Sequence, residues 1–253
     1  MTSALETVVA ATEGRAFEVS FNPETFWPYF LTPIRAAGAI ERIPVLDNLP
    51  DWAILRAAQD VPADEYRLLF LHSIRPGKPF NITIDSGLFD SVWLARTPAD
   101  VAEAAKDFEE GQFHGLILVD EDVDAENPAS GDGPLTELAA GGVVAILPGL
   151  GLEAEALAIR EACIAKGLQP GVISTFQAFP TPAEAMGDLL DGFDAVAVLD
   201  SPGGPVSQLA ADWLSRFRND LASHWLDPGA APEEVVDALF AAAVRGGRFE
   251  DPR

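Results

Sequence analysis

Cysteine is the scarcest reactive residue in this sequence: Cys163 stands alone. A single thiol excludes an intrachain disulfide, and it excludes a four-cysteine zinc site or iron–sulfur cluster held by this chain alone. Lysine is nearly absent too, with only Lys78, Lys106 and Lys166, and the formal net charge is −24. The densest cationic stretch, Arg216 and Arg218, is followed at once by Asp220. A surface of this sign repels nucleic-acid phosphates and anionic membranes, so neither is expected as a partner. The carboxylate excess fits either a high-salt cell or a genome that favours arginine and alanine codons. No run approaches the roughly 18 apolar residues of a spanning helix. The opening MTSALETVVAATEGRAFEVS has no basic start and no long apolar core. It does not read as a secretory signal, and a cytoplasmic location is the expectation.

Catalytic signatures are missing as well. The sequence has no G-x-S-x-G nucleophile elbow, no phosphate-binding G-x-x-x-x-G-K-[ST] loop and no H-E-x-x-H. His72, His114 and His224 have no partner at metal-ligand spacing, so no metal site is expected and each reads as a satisfied structural histidine. Asp120, Asp122 and Asp124 alternate in the loop DEDVDAENPASGDG, but Ala125 and Gly131 stand where a calcium loop needs glycine and glutamate. A solvated loop is the better reading. The loop SIRPGKPF, with Arg75 and Lys78, is either an anion receiver or an exposed hairpin turn, and the turn is favoured.

What is present is an α/β pattern. The 253 residues suffice for one large domain or two small ones. Residues 1–65 are irregular, with a short helix expected at 4–11, an aromatic, proline-broken segment FNPETFWPYF at 21–30, and a helix at 51–60. Strands are expected at 66–74, 81–85, 91–95 and 114–119, with a helix at 98–111 that has Thr97 at its cap and Pro98 in its first turn. The acidic loop marks a boundary between an α/β region, 1–133, and a second domain, 134–253. That second domain opens with a short helix at 134–140. It then alternates strands (143–147, 170–176, 194–199) with helices (152–166, 182–190, 205–224, 232–245). The expected fold is therefore α/β, with a mostly parallel sheet and a Rossmann-like βαβαβ second half.

Open parallel sheets bind ligands beyond the carboxyl ends of their strands. Three such ends supply the candidate cofactor-binding or subunit-interface residues: Gly149 and Gly151, Ser174 and Thr175, and Asp200, Ser201, Gly203 and Gly204. Gly149-Leu150-Gly151-Leu152-Glu153-Ala154 matches G-x-G-x-x-A formally. A dinucleotide would place its pyrophosphate on the backbone N–H groups of the following helix. Glu153 and Glu155 lie where that charge would fall, and no acid follows the next strand to bind a ribose. Small residues for close packing, with glutamates complementing the helix dipole, are the favoured alternative. Asp200-Ser201-Pro202-Gly203-Gly204-Pro205 is the most specific local feature, read either as an anion or interface loop or as a turn whose Asp200 caps nearby N–H groups. Cys163 reads as a small core residue.

The succession VVAILPGLGLEAEALAIREACIAKG, QPGVISTFQAFP, DGFDAVAVLDS, GGPVSQLAADWL and APEEVVDALFAA, from Val143 to about Ala243, resembles a known family. It looks like the transketolase-C-terminal-like domain of 2-oxoacid:ferredoxin oxidoreductases, of the α-subunit type. In that family a large pyrimidine-binding domain precedes this one. The complete G-D-G…N signature for thiamine diphosphate and the cluster cysteines are absent here. The family's domain supports subunit contacts and frames an active site. The resemblance therefore implies a partner-dependent component of a thiamine-diphosphate-dependent 2-oxoacid:acceptor oxidoreductase, in a homo- or hetero-oligomer. It implies no cofactor bound by this chain alone, with thiamine diphosphate or coenzyme A possible in the complex. A stand-alone nucleotide-binding protein or enzyme, and a structural interaction protein, are the alternatives.

Overall fold

The computed structural model describes residues 16–20, 66–72, 90–95, 100, 104–107, 113–118 and 134–246. The expected helices at 4–11 and 51–60, the aromatic segment, the strand at 81–85, the loop SIRPGKPF and the acidic loop lie outside the described residues. The chain forms two compact units, Met1–Ser73 with Ile84–Asp120, and Ile74–Thr83 with Glu121–Arg253.

In the first unit, β1 (Ala16–Ser20), β2 (Tyr66–His72), β3 (Ser91–Ala95) and β4 (Phe113–Leu118) run parallel in the order β1-β2-β4-β3. The strand β1 was not expected from sequence. Of the helix expected at 98–111, Asp100 and Ala104 are helical, and Ala105–Asp107 forms a 3-10 turn. Val92, Trp93, Leu94 and Ala95 are all buried. His114 lies opposite Ser91 across β3 and β4 and has no solvent exposure. The Trp93 indole N–H donates to Ser91 Oγ at 3.0 Å, and Ser91 Oγ is 2.8 Å from His114 Nδ1. A hydroxyl that accepts from an indole can also donate to, or accept from, an imidazole nitrogen. His114 is thus a satisfied buried histidine.

The second unit contains β5 (Leu135–Ala139), β6 (Val143–Pro148), β7 (Gly171–Thr175), β8 (Gln177–Phe179), β9 (Phe193–Leu199) and β10 (Ala222–Leu226). Its helices are α1 (Glu153–Ala165), α2 (Ala183–Leu190), α3 (Pro205–Phe217) and α4 (Pro232–Gly246). The sheet order is β10-β9-β6-β7-β5, parallel throughout except for β5, which pairs antiparallel with β7. The strands VVAILP, GVIST and FDAVAVL are near-continuous apolar runs because both faces are covered. One face carries Val144, Ile146, Val172, Ala195, Ala197 and Leu199, packed with Ile159 and Cys163 of α1 and Leu239 and Phe240 of α4. Alternate residues point the other way. There α3, with buried Val206, Leu209, Ala210 and Trp213, packs against β9.

Three local expectations need correction. The expected helix at 134–140 is the strand β5. Leucine, glutamate and alanine favour a helix, but the segment lies between Pro134 and the pair Gly141-Gly142, too short to nucleate one alone. The open edge of β7 instead satisfies its backbone, and the N–H groups of Phe176 and Gln177 both donate to Pro134 O. The helix expected to reach residue 224 stops at Phe217. Arg218 leaves helical geometry (φ −141°), Leu221 N–H donates to Arg218 O at 3.0 Å, and ASHWL becomes the edge strand β10 beside β9. Thr181 does not cap α2; its hydroxyl donates to Asp212 Oδ2 at 2.7 Å and ties the segment to α3. By contrast, α1 ends as its sequence indicates. Gly167 takes φ +93°, its N–H donates to Ile164 O, and Leu168 N–H donates to Cys163 O, both at 3.0 Å. That is a Schellman cap.

The amino edge of the sheet is held by a close approach. A Cβ on Gly141 would fall on the backbone of Pro170 and Gly171, 2.5 Å from the Pro170 carbonyl oxygen. Arg160 of α1 spans the junction, donating to Pro170 O at 3.1 Å and to Ala140 O at 3.0 Å. Gly142, one residue on, has open space around its Cβ position. Gly141→Ala should therefore cost roughly 2–4 kcal/mol in urea unfolding, while Gly142→Ala should change stability by less than about 1 kcal/mol. Burial pushes the Cys163 thiol up to about 11, against a smaller opposing pull from Lys166. A thiol reagent should leave the native protein unmodified at neutral pH and react fully once the chain is unfolded.

Candidate functional site at the carboxyl edge

The strands β6 and β9 lie side by side, and their chains then diverge, β6 leading to β7 on one side and β9 to β10 on the other. This is the switch point of the sheet, where open α/β folds bind ligands. Both strands leave it through the same kind of turn. After β6, Leu152 N–H donates to Gly149 O at 3.0 Å and Gly151 takes φ +80°. After β9, Gly204 N–H donates to Ser201 O at 2.8 Å, with Pro202 second and Gly203, at φ +79°, third. A positive φ at the third position is what a type II turn requires, and glycine supplies it without strain.

Asp200 is the first residue past β9 and lies between the two turns, close to Gly149 on one side and Gly204 on the other. It is 8% exposed. Its Oδ1 accepts from Ser201 N–H at 2.8 Å, and its Oδ2 accepts from Ser207 N–H at 2.9 Å. Val206 N–H donates to it as well. Val206 and Ser207 are in the first turn of α3, where N–H groups have no partner inside the helix. Asp200 thus caps α3 from five residues before its start. The fit is tight on both sides. A Cβ on Gly149 would lie 2.5 Å from Asp200 Oδ1, and one on Gly204 would lie 2.5 Å from the same oxygen. Burial raises the Asp200 carboxyl above its ordinary value, and the N–H donors only partly offset it.

The other candidates lie on the same edge of the sheet. Ser174 and Thr175 end β7 and are buried. Ser174 Oγ donates to Glu153 Oε1 at 3.3 Å, so the first carboxylate of α1 turns inward, 1% exposed, onto β7. Glu155 is partly exposed, and desolvation raises its carboxyl. The glycine pattern after β6 is therefore accounted for by Asp200, which needs Gly149 bare, and by the turn, which needs Gly151 at positive φ. Pyrophosphate would meet Glu153 at one turn and Asp200 at the other. An open cleft at the start of α2, lined by Pro134, Pro182, Ala183, Glu184, Ala185 and Asp188, contains none of the eight candidate residues. Sequence reasoning missed Ser207 and the pairing of Glu153 with Ser174. The signal for Ser207 was available: an acid just before a Ser-Pro-Gly-Gly-Pro turn can reach the first N–H groups of the helix that follows.

Among the described residues no group of three or more His, Cys, Asp or Glu could hold a metal ion, and no helix is long and apolar enough to cross a membrane. His224 on β10 accepts at Nδ1 from Arg245 of α4 at 2.8 Å, and burial, then Arg245, lowers its pKa. An imidazole that accepts there is in its neutral form.

The fold defines an α/β protein whose second unit is a mostly parallel sheet covered by helices. No protein-family model and no curated protein matches the chain. In three dimensions it is similar to a split-gene transketolase solved as an inactive β4 tetramer, with a TM-score of 0.60, 12% identity, and 96% of each chain covered. It is also similar to the 2-oxoglutarate:ferredoxin oxidoreductase from Magnetococcus marinus, solved with 2-oxoglutarate, coenzyme A and succinyl-CoA bound. There the TM-score is 0.58 at 10% identity, covering 95% of this chain and 64% of that one. These likenesses are ones of fold. They agree with the resemblance read between Val143 and Ala243, and they extend over nearly the whole chain.

Two outcomes follow from the Asp200 geometry. Gly204→Ala should lower stability by roughly 2–3 kcal/mol in urea unfolding, because the carboxylate it would strike is pinned by backbone N–H groups and has nowhere to move. The folded-state pKa of Asp200 lies above its unfolded value of 3.8. Its contribution to stability is therefore fully present below the unfolded value and is lost as pH rises through the folded one. Across that window, wild type should gain stability relative to Asp200→Asn as the solution is acidified, read from paired urea midpoints at each pH.

Proposed function

We propose that this chain is a component, non-catalytic or dependent on a partner, of a thiamine-diphosphate-dependent 2-oxoacid:acceptor oxidoreductase. The observation that carries the reading is the buried Asp200 at the switch point, whose carboxylate takes the N–H groups of Ser201 and Ser207 that a ligand there would use. Two further findings support it. The fold is shared with a transketolase tetramer described as inactive and with an oxidoreductase that handles a 2-oxoacid and coenzyme A. The family resemblance assigns this domain to subunit contact and to framing an active site completed elsewhere.

On this reading the unit formed by residues 134–253 is the transketolase-C-terminal-like domain. The outer parts of its carboxyl-edge loops, around Gly151 and Gly203, face a partner subunit. Thiamine diphosphate and coenzyme A belong to the assembled complex, and this chain alone holds neither.

Native purification with mass spectrometry of proteins and bound small molecules tests this directly. The expected result is co-isolation with subunits of the same oxidoreductase, thiamine diphosphate being present in the complex and absent from the isolated chain. A chain recovered alone from its native lysate, or one that turns over a 2-oxoacid unaided, contradicts the reading. A thermal shift of the isolated chain with NAD(P), nucleoside phosphates or coenzyme A would favour a stand-alone binding protein instead.

A further inference from the structure

We propose that the edge strand β10 of the second unit is a docking surface for a second copy of this chain, paired antiparallel about His224. The two edges of that sheet are built differently. At one end, β5 carries the exposed Glu137 and a register shift between Glu137 and Ala139. An exposed charge and a bulge are devices by which a sheet edge avoids further pairing. At the other end, β10 has neither. Ala222–Leu226 runs in unbroken register with Ala195–Leu199 of β9 and, among the described residues, has no strand on its far side. Its sequence, ASHWL, contains no Lys, Arg, Asp, Glu or Pro, in a chain with 40 acidic residues. Such a strand presents N–H and C=O groups that another strand can take.

Exposed apolar side chains gather at the same edge. Trp225, 44% exposed, is on β10 itself. Phe217, 55% exposed, is the last residue of α3, joined to β10 by the short turn at 218–221. Val244 precedes Arg245, whose guanidinium donates to His224. These are three of the four large hydrophobics exposed among the described residues. The order of sizes along the strand identifies the occupant. Ala222 and Ser223 are small, Trp225 and Leu226 are large, and His224 stands between them. When two copies pair antiparallel with His224 opposite His224, Ser223 meets Trp225 on one face and Ala222 meets Leu226 on the other. Every large side chain then faces a small one. The pair uses the same edge of both copies and is closed, so assembly stops at a dimer whose two sheets join into one. The inference rests on this edge alone and is independent of the oxidoreductase reading: failure to isolate other subunits leaves it intact.

Sedimentation velocity on the full-length chain reads the dimer, in about 0.5 M sodium chloride to screen the repulsion between two acidic chains. Wild type should be a reversible dimer. Trp225→Glu should weaken it at least about tenfold with an unchanged circular dichroism spectrum. Should Trp225→Glu lose its fold, Ser223→Trp at the neighbouring exposed position takes its place, because it sets two large side chains against each other. Cysteine placement reads the register. Residues directly opposite in an antiparallel pair have Cα atoms about 4.5–5.5 Å apart, within reach of a disulfide. His224→Cys should therefore give a covalent dimer under mild oxidation, and Glu137→Cys, on the opposite edge, should not. The native Cys163 is buried and does not compete. The proposal is overturned if wild type sediments as a monomer up to its solubility limit, if both edge substitutions leave the dimer intact, or if Glu137→Cys cross-links as readily as His224→Cys.

Discussion

The second unit depends on one buried carboxylate. Asp200 sits where two parallel strands end side by side and their chains part. It caps α3, holds the β9 turn through Ser201, and presses against the turn after β6 at Gly149. A buried anion is tolerated only when it is well hydrogen-bonded. Here the backbone supplies the donors, from a turn and a helix start that would otherwise carry orphan N–H groups. The turn sequence, the two bare glycines and the docking of α3 on β9 are consequences of the same arrangement.

Much of this was legible in the sequence. The runs from Val143, Gly171 and Phe193 are too continuously apolar for anything but strands buried on both faces, and the helices between them fix a parallel sheet. Gly167 announced the end of α1. Asp200 reads in sequence either as part of an anion or interface loop or as a cap, and its bonds to the Ser201 and Ser207 N–H groups are those of a cap. What failed was decided by tertiary context. Leu135–Ala139 has helical composition, but it lies beside the open edge of β7 and becomes a strand. Ala222–Leu226 was absorbed into the preceding helix because the apolar spacing runs on past Phe217, although Asn219 and Asp220 are turn residues. Thr181 had the right type and place for a cap, yet Asp212 on α3 competes for its hydroxyl at 2.7 Å. No local pattern reports that partner.

The glycine motif after β6 shows why a spacing alone does not assign a site. G-x-G between a strand and a helix serves pyrophosphate when the glycines make room for it. Here the room made by Gly149 is taken by Asp200, and Glu153 turns back onto Ser174. The same backbone that would cradle a cofactor has been used to lock three elements together. Three elements tied through one carboxylate hold the turns after β6 and β9 in fixed positions.

The most direct measurement is amide hydrogen exchange on Asp200→Ala beside wild type. The account predicts that the Ser201 and Ser207 amides and the first turn of α3 lose protection and that the variant is less stable to urea. A variant as stable as wild type, with those amides equally protected, would contradict it.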